Sequence, residues 1–164
     1  MQHILTLCIG NICRSPLAQA LLTQQLPQHT VASCGLAALV GMPADSLAIE
    51  VAAEHGLDLA AHRARQVAGW MCQQADLILV MEQSHKAQLE QQFPLARGKV
   101  FRLGHYGRFD VADPYRQPRE AFDATYAAIA QGVTDWAPKI RQLSAQAAHA
   151  QPRATHAPEP SRLF

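Results

Sequence analysis

Residues 4–16 read ILTLCIGNICRSP, and this stretch decides the fold of the chain. It begins with an apolar run typical of a buried strand, and a helical pattern, LAQALL, follows at residues 17–22. Ser15 and Pro16 form a helix-start pair in which the serine is the predicted N-cap. The loop therefore joins a strand that ends at Cys8 to a helix. Its backbone N–H groups converge beside the positive end of that helix, which predicts a seat for a dianion with a thiol at its floor.

The rest of the chain alternates apolar runs with helical patterns. Strands are predicted at residues 4–8, 30–34, 77–81 and 100–103. Helices are predicted at residues 16–26, 44–55, 67–73 and 82–93, and a long one from Arg119 onward. This order indicates a three-layer α/β fold, a four-stranded parallel sheet with helices on both faces and the anion loop after the first strand. Ligands of such sheets bind at the carboxyl ends of the strands, where Cys8 lies.

Length and composition predict a single domain. The chain has 164 residues, and 49% of them are hydrophobic, which is enough to fill one core. The predicted domain covers residues 1–144. Residues 145–164 are rich in alanine, proline and histidine without periodicity, and a frayed helix end followed by a disordered tail is predicted there.

Charge, hydropathy and cysteine content argue against several classes of function. The net charge of +1 gives no broad surface for nucleic acid. There is no apolar run long enough to span a membrane, so membrane insertion is not expected. Because the N-terminus also lacks a signal-peptide pattern, a cytoplasmic location is expected. The four cysteines are then expected to be thiols. Their spacing and the scattered histidines do not fit a metal site, so no metal and no cofactor is expected.

The residues of the loop favour phosphoryl transfer. Amide N–H groups and a nearby guanidinium favour the thiolate form of Cys8, which is the nucleophilic form. Arg14 offers a planar fork that matches two phosphate oxygens. Ser15 can donate its hydroxyl to the thiolate. Gly10 is expected to let the backbone turn with no Cβ in the way, and Asn11 to adopt a left-handed conformation that ties the loop internally.

Phosphoryl transfer to a thiolate needs a proton donor for the leaving group, and Asp113 is the candidate. It begins the segment DPY, in a stretch without helical or strand pattern between the fourth strand and the last helix. Pro114 restricts Asp113 to an extended conformation, which can hold the carboxyl group outward. Tyr115 offers an aromatic wall for a flat substrate ring.

On these residues the chain resembles the low-molecular-weight protein tyrosine phosphatases. The match rests on CIGNICRSP at residues 8–16 and DPY at residues 113–115, with AHRARQV at residues 61–67 and DLILVME at residues 76–82 between them. Within the family, GLAALVG at residues 35–41 and the arginine after DPY are similar to the bacterial branch associated with capsule or exopolysaccharide export.

The resemblance implies a role for each matching residue. Cys8 is the nucleophile, Arg14 the phosphate clamp, Ser15 the donor to the thiolate and Asp113 the general acid. The other implied roles are the phosphate loop (Ile9, Gly10, Asn11, Ile12, Cys13, Arg14 and Ser15), support of that loop (Asn11, Ser33 and His62), the substrate rim (Ile9, Leu39 and Tyr115), and oxidative pairing of Cys13 with Cys8.

The activity implied by the resemblance is hydrolysis of phosphotyrosine through a phosphocysteine intermediate. The implied substrate is a phosphotyrosine protein, and the usual partner of the bacterial branch is an autophosphorylating membrane tyrosine kinase in exopolysaccharide production. Tyrosine's phenol leaves far more readily than an alkyl alcohol, which favours aryl phosphates over phosphoserine.

Two other hypotheses stay open at this point. A thiol-coupled arsenate reductase shares the fold and the loop, but it uses a relay of further cysteines, and only Cys34 and Cys72 lie beyond the loop. A non-catalytic phosphotyrosine-binding module is expected to lack Cys8 or Asp113, and this chain has both.

Overall fold

A computed structural model describes residues 1–150 of the chain. A four-stranded parallel sheet forms the centre of the molecule. The strands are β1 (His3–Cys8), β2 (Thr30–Gly35), β3 (Leu77–Val80) and β4 (Val100–Arg102). Their order in the sheet is β2-β1-β3-β4, and each neighbouring pair is parallel. The predicted sheet is confirmed. Because β1 and β3 are the two inner strands, they are covered on both faces, which explains the unbroken apolar run of β3 and the burial of residues 4–8 in β1.

Helices cover both faces of the sheet. One face carries α1 (Arg14–Gln25), α2 (Ser46–Glu54) and α5 (Arg119–Ala150), and the other carries α3 (Gly69–Gln74) and α4 (Gln83–Gln92) with the 3₁₀ turn Pro94–Ala96. Each face has its own apolar core. Side chains of β3 alternate between the two cores, because successive residues of a strand point to opposite faces.

The start of α1 differs from the prediction. The helix begins at Arg14, its N-cap is Cys13, and no side chain caps it. Ser15 is therefore inside the first turn and is not the N-cap, because its hydroxyl is engaged by Cys8 and Asn11 instead of by the helix backbone. The Ser15 side chain, which the capping rule assigned to the helix, thus supports the loop.

The last helix extends past residue 144, where the predicted domain ends. α5 continues through Pro138 to Ala150, so residues 145–150 form its end. Ser144 still contacts the domain, since its hydroxyl donates to the Met1 carbonyl at 2.9 Å and lies 2.9 Å from His29 Nε2. The remainder of the predicted tail, residues 151–164, lies outside the described residues. No helix within residues 1–150 is long and apolar enough to cross a membrane.

The register of the sheet places the functional residues at one edge. Cys8, the last residue of β1, pairs with Gly35, the last residue of β2. Glu82 follows the end of β3 and is the N-cap of α4. The loop after β4 returns to this edge, where Val111 N donates to Met81 O at 2.9 Å. The carboxyl ends of the strands therefore meet around the anion loop.

Candidate active site

A cavity of about 150 Å³ lies over the loop between β1 and α1. The structure brings together there most of the residues that the sequence selected for catalysis, for the loop and for the rim. Its lining comprises Cys8, Ile9, Gly10, Ile12, Cys13, Arg14, Ala37, Leu39, Asp113 and Tyr115. The other selected residues do not line the cavity: Asn11 and Ser15 belong to the loop itself, and Ser33 and His62 contact Asn11.

Two hydrogen-bond donors are directed at the sulfur of Cys8. The Asn11 backbone N–H donates to Sγ at 3.3 Å, and Ser15 Oγ lies 3.0 Å from Sγ. The Asn11 side-chain amide donates to Ser15 Oγ at 2.8 Å. Since this amide occupies an acceptor site of the hydroxyl, the Ser15 proton can be donated to the sulfur, and its other acceptor, the Cys34 carbonyl oxygen, lies farther away at 3.4 Å. Hydrogen bonds of this kind stabilise a thiolate more than a thiol.

Asn11 ties the loop to the rest of the domain. It is fully buried, and its φ of 56° is the left-handed conformation expected from the sequence. Beyond its bonds to Cys8 and Ser15, its amide nitrogen donates to Ser33 Oγ at 3.0 Å, and its Oδ1 accepts from the Arg65 backbone N–H at 2.8 Å. All polar groups of the side chain are thereby paired, which fixes a conformation that would otherwise be costly.

His62 contacts the backbone of Asn11. Its Nε2 lies 2.6 Å from the Asn11 carbonyl oxygen, which can only accept. Burial, followed by the positive charges of Arg65 and Arg63, lowers the pKa of His62, although the bond to Asn11 opposes this shift. The ring is therefore neutral near pH 7 and carries its proton on Nε2.

Arg14 lines the cavity and is held in place by partners from two other segments. Its side chain is only 2% exposed. Nη1 donates to Glu82 Oε1 and, at 2.9 Å, to the Val111 carbonyl oxygen, and Nη2 lies 3.3 Å from Asp113 Oδ2. The guanidinium is thus held from one side by Glu82 and Val111, and its Nη2 contacts the carboxyl group that lines the cavity.

Asp113 is held near the sulfur by the segment that follows β4. Thr125 of α5 donates its hydroxyl to the Ala112 carbonyl at 3.1 Å, and Tyr115 N–H donates to Asp113 Oδ1 at 3.2 Å. The carboxyl group remains 46% exposed, so a proton can reach it from solvent. Arg116 has its Cζ 5.1 Å from the Tyr115 ring centroid, which supports the aromatic wall of the cavity.

The remaining cysteines differ sharply from Cys8 in their surroundings. Burial, together with the negative charge of Asp45, raises the pKa of the Cys13 thiol far above its usual range. Burial likewise raises the pKa of Cys34 to about 12, and it raises the pKa of Cys72. Cys34 and Cys72 belong to the core on the other face of the sheet from Cys8. They are therefore protonated residues separated from the cavity by the sheet.

The prediction for Gly10 is wrong. A Cβ at this residue would meet only ordinary contacts, the nearest being Ile12 Cγ1 at 3.7 Å, and the left-handed conformation of the loop belongs to Asn11. The glycine that the loop requires is Gly35, where a Cβ would lie 2.2 Å from the Ile9 carbonyl oxygen and 3.1 Å from Asn11 Cβ. The loop crosses the end of β2 so closely that only a hydrogen atom fits.

We expect Gly35→Ala to damage activity more than stability. The added methyl group must push the Ile9 carbonyl and so displace the loop amides. The free energy of unfolding should fall by about 1–3 kcal/mol, and kcat/KM for an aryl phosphate by about 10²-fold. Gly10→Ala serves as the comparison in thermal unfolding and should leave the melting temperature nearly unchanged. Equal melting temperatures and equal turnover for wild type and Gly35→Ala would contradict the close approach.

The sequence did not point to Glu82, the partner of Arg14. Its signal was nevertheless available, because Glu82 is the polar residue that directly follows the buried strand β3 at the ligand-binding edge. Gln19 was also missed; its Oε1 accepts from Ser33 Oγ at 2.6 Å and so extends the network behind Asn11. Within residues 1–150, no group of three or more histidine, cysteine, aspartate or glutamate side chains is arranged to hold a metal ion.

Comparison with known proteins identifies the family. Residues 3–148 match the model of the low molecular weight phosphotyrosine protein phosphatase family. EpsP of Ralstonia nicotianae, a probable low molecular weight protein-tyrosine-phosphatase, is 51% identical over 143 residues, which cover 87% of this chain and 99% of that protein.

Solved structures agree with this match. The structure of Vibrio vulnificus Wzb in complex with benzylphosphonate is similar with a TM-score of 0.82 and 46% identity, covering 84% of this chain and 98% of that chain. The YwlE arginine phosphatase of Geobacillus stearothermophilus is similar with a TM-score of 0.83 and 33% identity, covering 93% of this chain and all of that one. The resemblance seen in the sequence is confirmed: the chain belongs to the low molecular weight phosphotyrosine protein phosphatase family.

Proposed function

We propose that this chain hydrolyses protein phosphotyrosine through a phosphocysteine intermediate on Cys8, with Arg14 as the phosphate clamp and Asp113 as the general acid. The observation that carries the proposal is the joint placement of these three residues around one cavity, with the sulfur at its floor. The loop amides and the guanidinium supply fixed positive dipoles and charge where the phosphoryl oxygens lie, so the reaction needs no metal ion.

In the first step the Cys8 thiolate attacks phosphorus in line with the aryl oxygen. The S–P bond forms while the P–O bond to the phenol breaks, and the electron pair of that bond goes to the phenolic oxygen. Asp113 gives this oxygen its proton, so that phenol leaves and not phenolate. Asp113 Oδ2 lies 3.3 Å from Nη2 of Arg14, and this proximity supports their joint action on one phosphoryl group.

In the second step water attacks the phosphorus of phosphocysteine. Asp113, now a carboxylate, takes a proton from this water, and the S–P bond breaks with its electron pair returning to sulfur. The Ser15 hydroxyl, 3.0 Å from Sγ, stabilises the thiolate as it leaves. Inorganic phosphate is released and both residues return to their starting protonation states.

The rim of the cavity favours a flat apolar ring on the phosphate. Ile9 and Ala37 line it, and the exposed side chains of Leu39 and Tyr115 stand at its mouth. Benzylphosphonate, the ligand of the Vibrio relative, combines such a ring with a phosphonate. This chemistry supports phosphotyrosine as the substrate.

An arginine phosphatase is a second candidate function, because YwlE has the same fold at 33% identity. A phosphoarginine side chain carries a polar guanidino group where phosphotyrosine carries an apolar ring. Asp113 is the only acidic side chain among the residues that line the cavity. The apolar lining therefore favours tyrosine, and the comparison of the two phosphoresidues belongs in the assay.

The arsenate reductase hypothesis has no support from the arrangement of the cysteines. Its relay requires a thiol that can approach the loop cysteine. Cys34 and Cys72 are buried in the core on the opposite face of the sheet, and their raised pKa values keep them as poorly nucleophilic thiols.

The proposed partner is an autophosphorylating bacterial tyrosine kinase in exopolysaccharide production, met in the cytoplasm. The branch-specific segments at residues 35–41 and 113–116 support it, as do the relatives EpsP and Wzb, which are similar over nearly the whole domain. Oxidative pairing of Cys13 with Cys8 also stays a prediction; Cys13 lines the same cavity and remains protonated until it reacts.

The assay that tests the proposal compares phosphotyrosine, phosphoserine and phosphoarginine in peptides of one sequence. We expect kcat/KM for phosphotyrosine to exceed that for phosphoserine by about 10²-fold or more, because phenol is the better leaving group. A chelator should change nothing. Turnover confined to phosphoarginine would replace tyrosine by arginine as the substrate, and turnover that disappears with the chelator would contradict the mechanism.

A further inference from the structure

Arg14 depends on a residue that is itself weakly restrained. Glu82 is the N-cap of α4, and its side chain is 32% exposed. Its Oε1 accepts from Nη1 of Arg14, and its Oε2 accepts from Ser84 Oγ at the long distance of 3.3 Å. A partly exposed glutamate has several rotamers, and most of them would remove the carboxylate from the guanidinium. Another group must therefore limit its motion.

His85 is the group in the right place to do so. It lies three residues after Glu82 on α4, on the same helix face, and its Nε2 is 3.6 Å from Glu82 Oε1. The side chain is only 4% exposed. This distance exceeds that of a hydrogen bond, but a small rotation of either side chain closes it.

The His85 ring places an unpaired polar atom in the protein interior, which lowers stability. Its Nδ1 is buried and has no hydrogen-bond partner. An apolar side chain would fill the position without leaving a buried polar atom unpaired, so packing does not explain the histidine. Burial and the positive charge of Arg14 lower the pKa of His85, against the opposing effects of Glu82, Asp113 and Asp110. A neutral ring carries no positive charge that would draw the Glu82 carboxylate away from Arg14.

We propose that His85 is a positioning residue that keeps the Glu82 carboxylate against Nη1 of Arg14, so that the guanidinium is oriented toward the phosphoryl group. The ring offers its Nε2 proton to Glu82 and leaves Nδ1 unprotonated. This inference rests on the proposed function, in which Arg14 binds the phosphoryl oxygens. It assigns to α4 a share in phosphate recognition although no residue of α4 lines the cavity.

The test is a double-mutant cycle on His85 and Glu82. We expect His85→Phe, which keeps an aromatic ring but removes the proton donor, to lower kcat/KM for p-nitrophenyl phosphate and to weaken inhibition by inorganic phosphate, each by about tenfold. The loss should be the same for good and poor leaving groups, because Arg14 acts on the phosphoryl group. His85→Gln, which retains an N–H donor, should recover most of both values. In Glu82→Gln, adding His85→Phe should cost nothing further.

Several outcomes overturn the inference. Additive losses in the double variant would mean that His85 does not act through Glu82. A lower melting temperature with an unchanged phosphate inhibition constant would make His85 merely structural. His55→Phe is the matched control, since His55 stacks on Tyr126 with the ring centroids 3.7 Å apart and lies outside the cavity. Its activity should equal that of wild type.

A second measurement needs no change at His85 and so does not depend on the folding of a variant. The ring nitrogen resonances of His85 in the wild-type protein should report a neutral ring protonated at Nε2, and they should shift in Glu82→Gln. A ring protonated at Nδ1 has no proton to offer and would overturn the inference. Failure of the proposed function is distinguishable, because wild type would then fail to hydrolyse the phosphotyrosine peptide, whatever the tautomer of His85.

Discussion

Cys8→Ser is expected to lower kcat for aryl phosphates by about 10⁴-fold or more while leaving phosphotyrosine binding in place. A serine hydroxyl at this position remains protonated, because the donors that stabilise a thiolate cannot ionise an alcohol near neutral pH. The binding groups do not change: the loop amides stay, Asn11 keeps its four side-chain and backbone ties, and Arg14 stays buried in the wall. Steady-state turnover and calorimetric binding of a phosphotyrosine peptide measure the two effects separately.

The control is Cys72→Ala, because Cys72 is a buried thiol on the other face of the sheet. It should retain wild-type turnover. In wild type, rapid quenching during turnover of an activated aryl phosphate should yield a peptide phosphorylated on Cys8, and in Cys8→Ser that adduct should not accumulate. Turnover of Cys8→Ser within tenfold of wild type would exclude the sulfur as the nucleophile.

The sheet and the identity of the reactive loop could be predicted because both depend on local patterns. The apolar run of β1, the loop and the start of α1 are contiguous in the chain, so local patterns are enough to recognise them. The inner strand β3 is unbroken in its apolar pattern because helices cover both of its faces. Boundaries were less accurate. Capping rules made Ser15 the N-cap of α1, but its hydroxyl instead accepts from the Asn11 amide and contacts the Cys8 sulfur.

The supports of the loop could not be predicted from spacing, since they depend on contacts between segments far apart in the chain. Gly35 is required because the Ile9 carbonyl crosses the end of β2, a close approach that exists only after the sheet forms. Glu82 meets Arg14 across 68 residues. Ser33 and His62 entered through the family resemblance, and no local pattern distinguishes them from other polar residues. Sequence patterns therefore point to the candidate nucleophile and clamp more directly than to the residues that hold the loop in place.

Asp113→Ala is expected to lower kcat most for the substrates whose leaving group is most basic. For phenyl phosphate kcat should fall by about 10²–10³-fold, because phenolate is a poor leaving group. For p-nitrophenyl phosphate, whose phenol is far more acidic, the loss should be small. Inhibition by inorganic phosphate should strengthen, since the Asp113 carboxylate lies 3.3 Å from Nη2 of Arg14 and competes with the dianion for it.

Asp113→Asn removes the acid function without shortening the side chain. It keeps the size of the side chain and removes both the proton and the negative charge, so its leaving-group dependence should match that of Asp113→Ala. Asp135→Ala is the control, because Asp135 accepts from Gln131 at 2.9 Å on α5 and does not line the cavity. A loss that is equal for every aryl phosphate would mean that Asp113 acts by orienting Arg14 and not by proton transfer. The dependence on the leaving group distinguishes these roles because, in the proposed mechanism, Arg14 acts on the phosphoryl oxygens, whereas only a proton donor acts on the oxygen that departs.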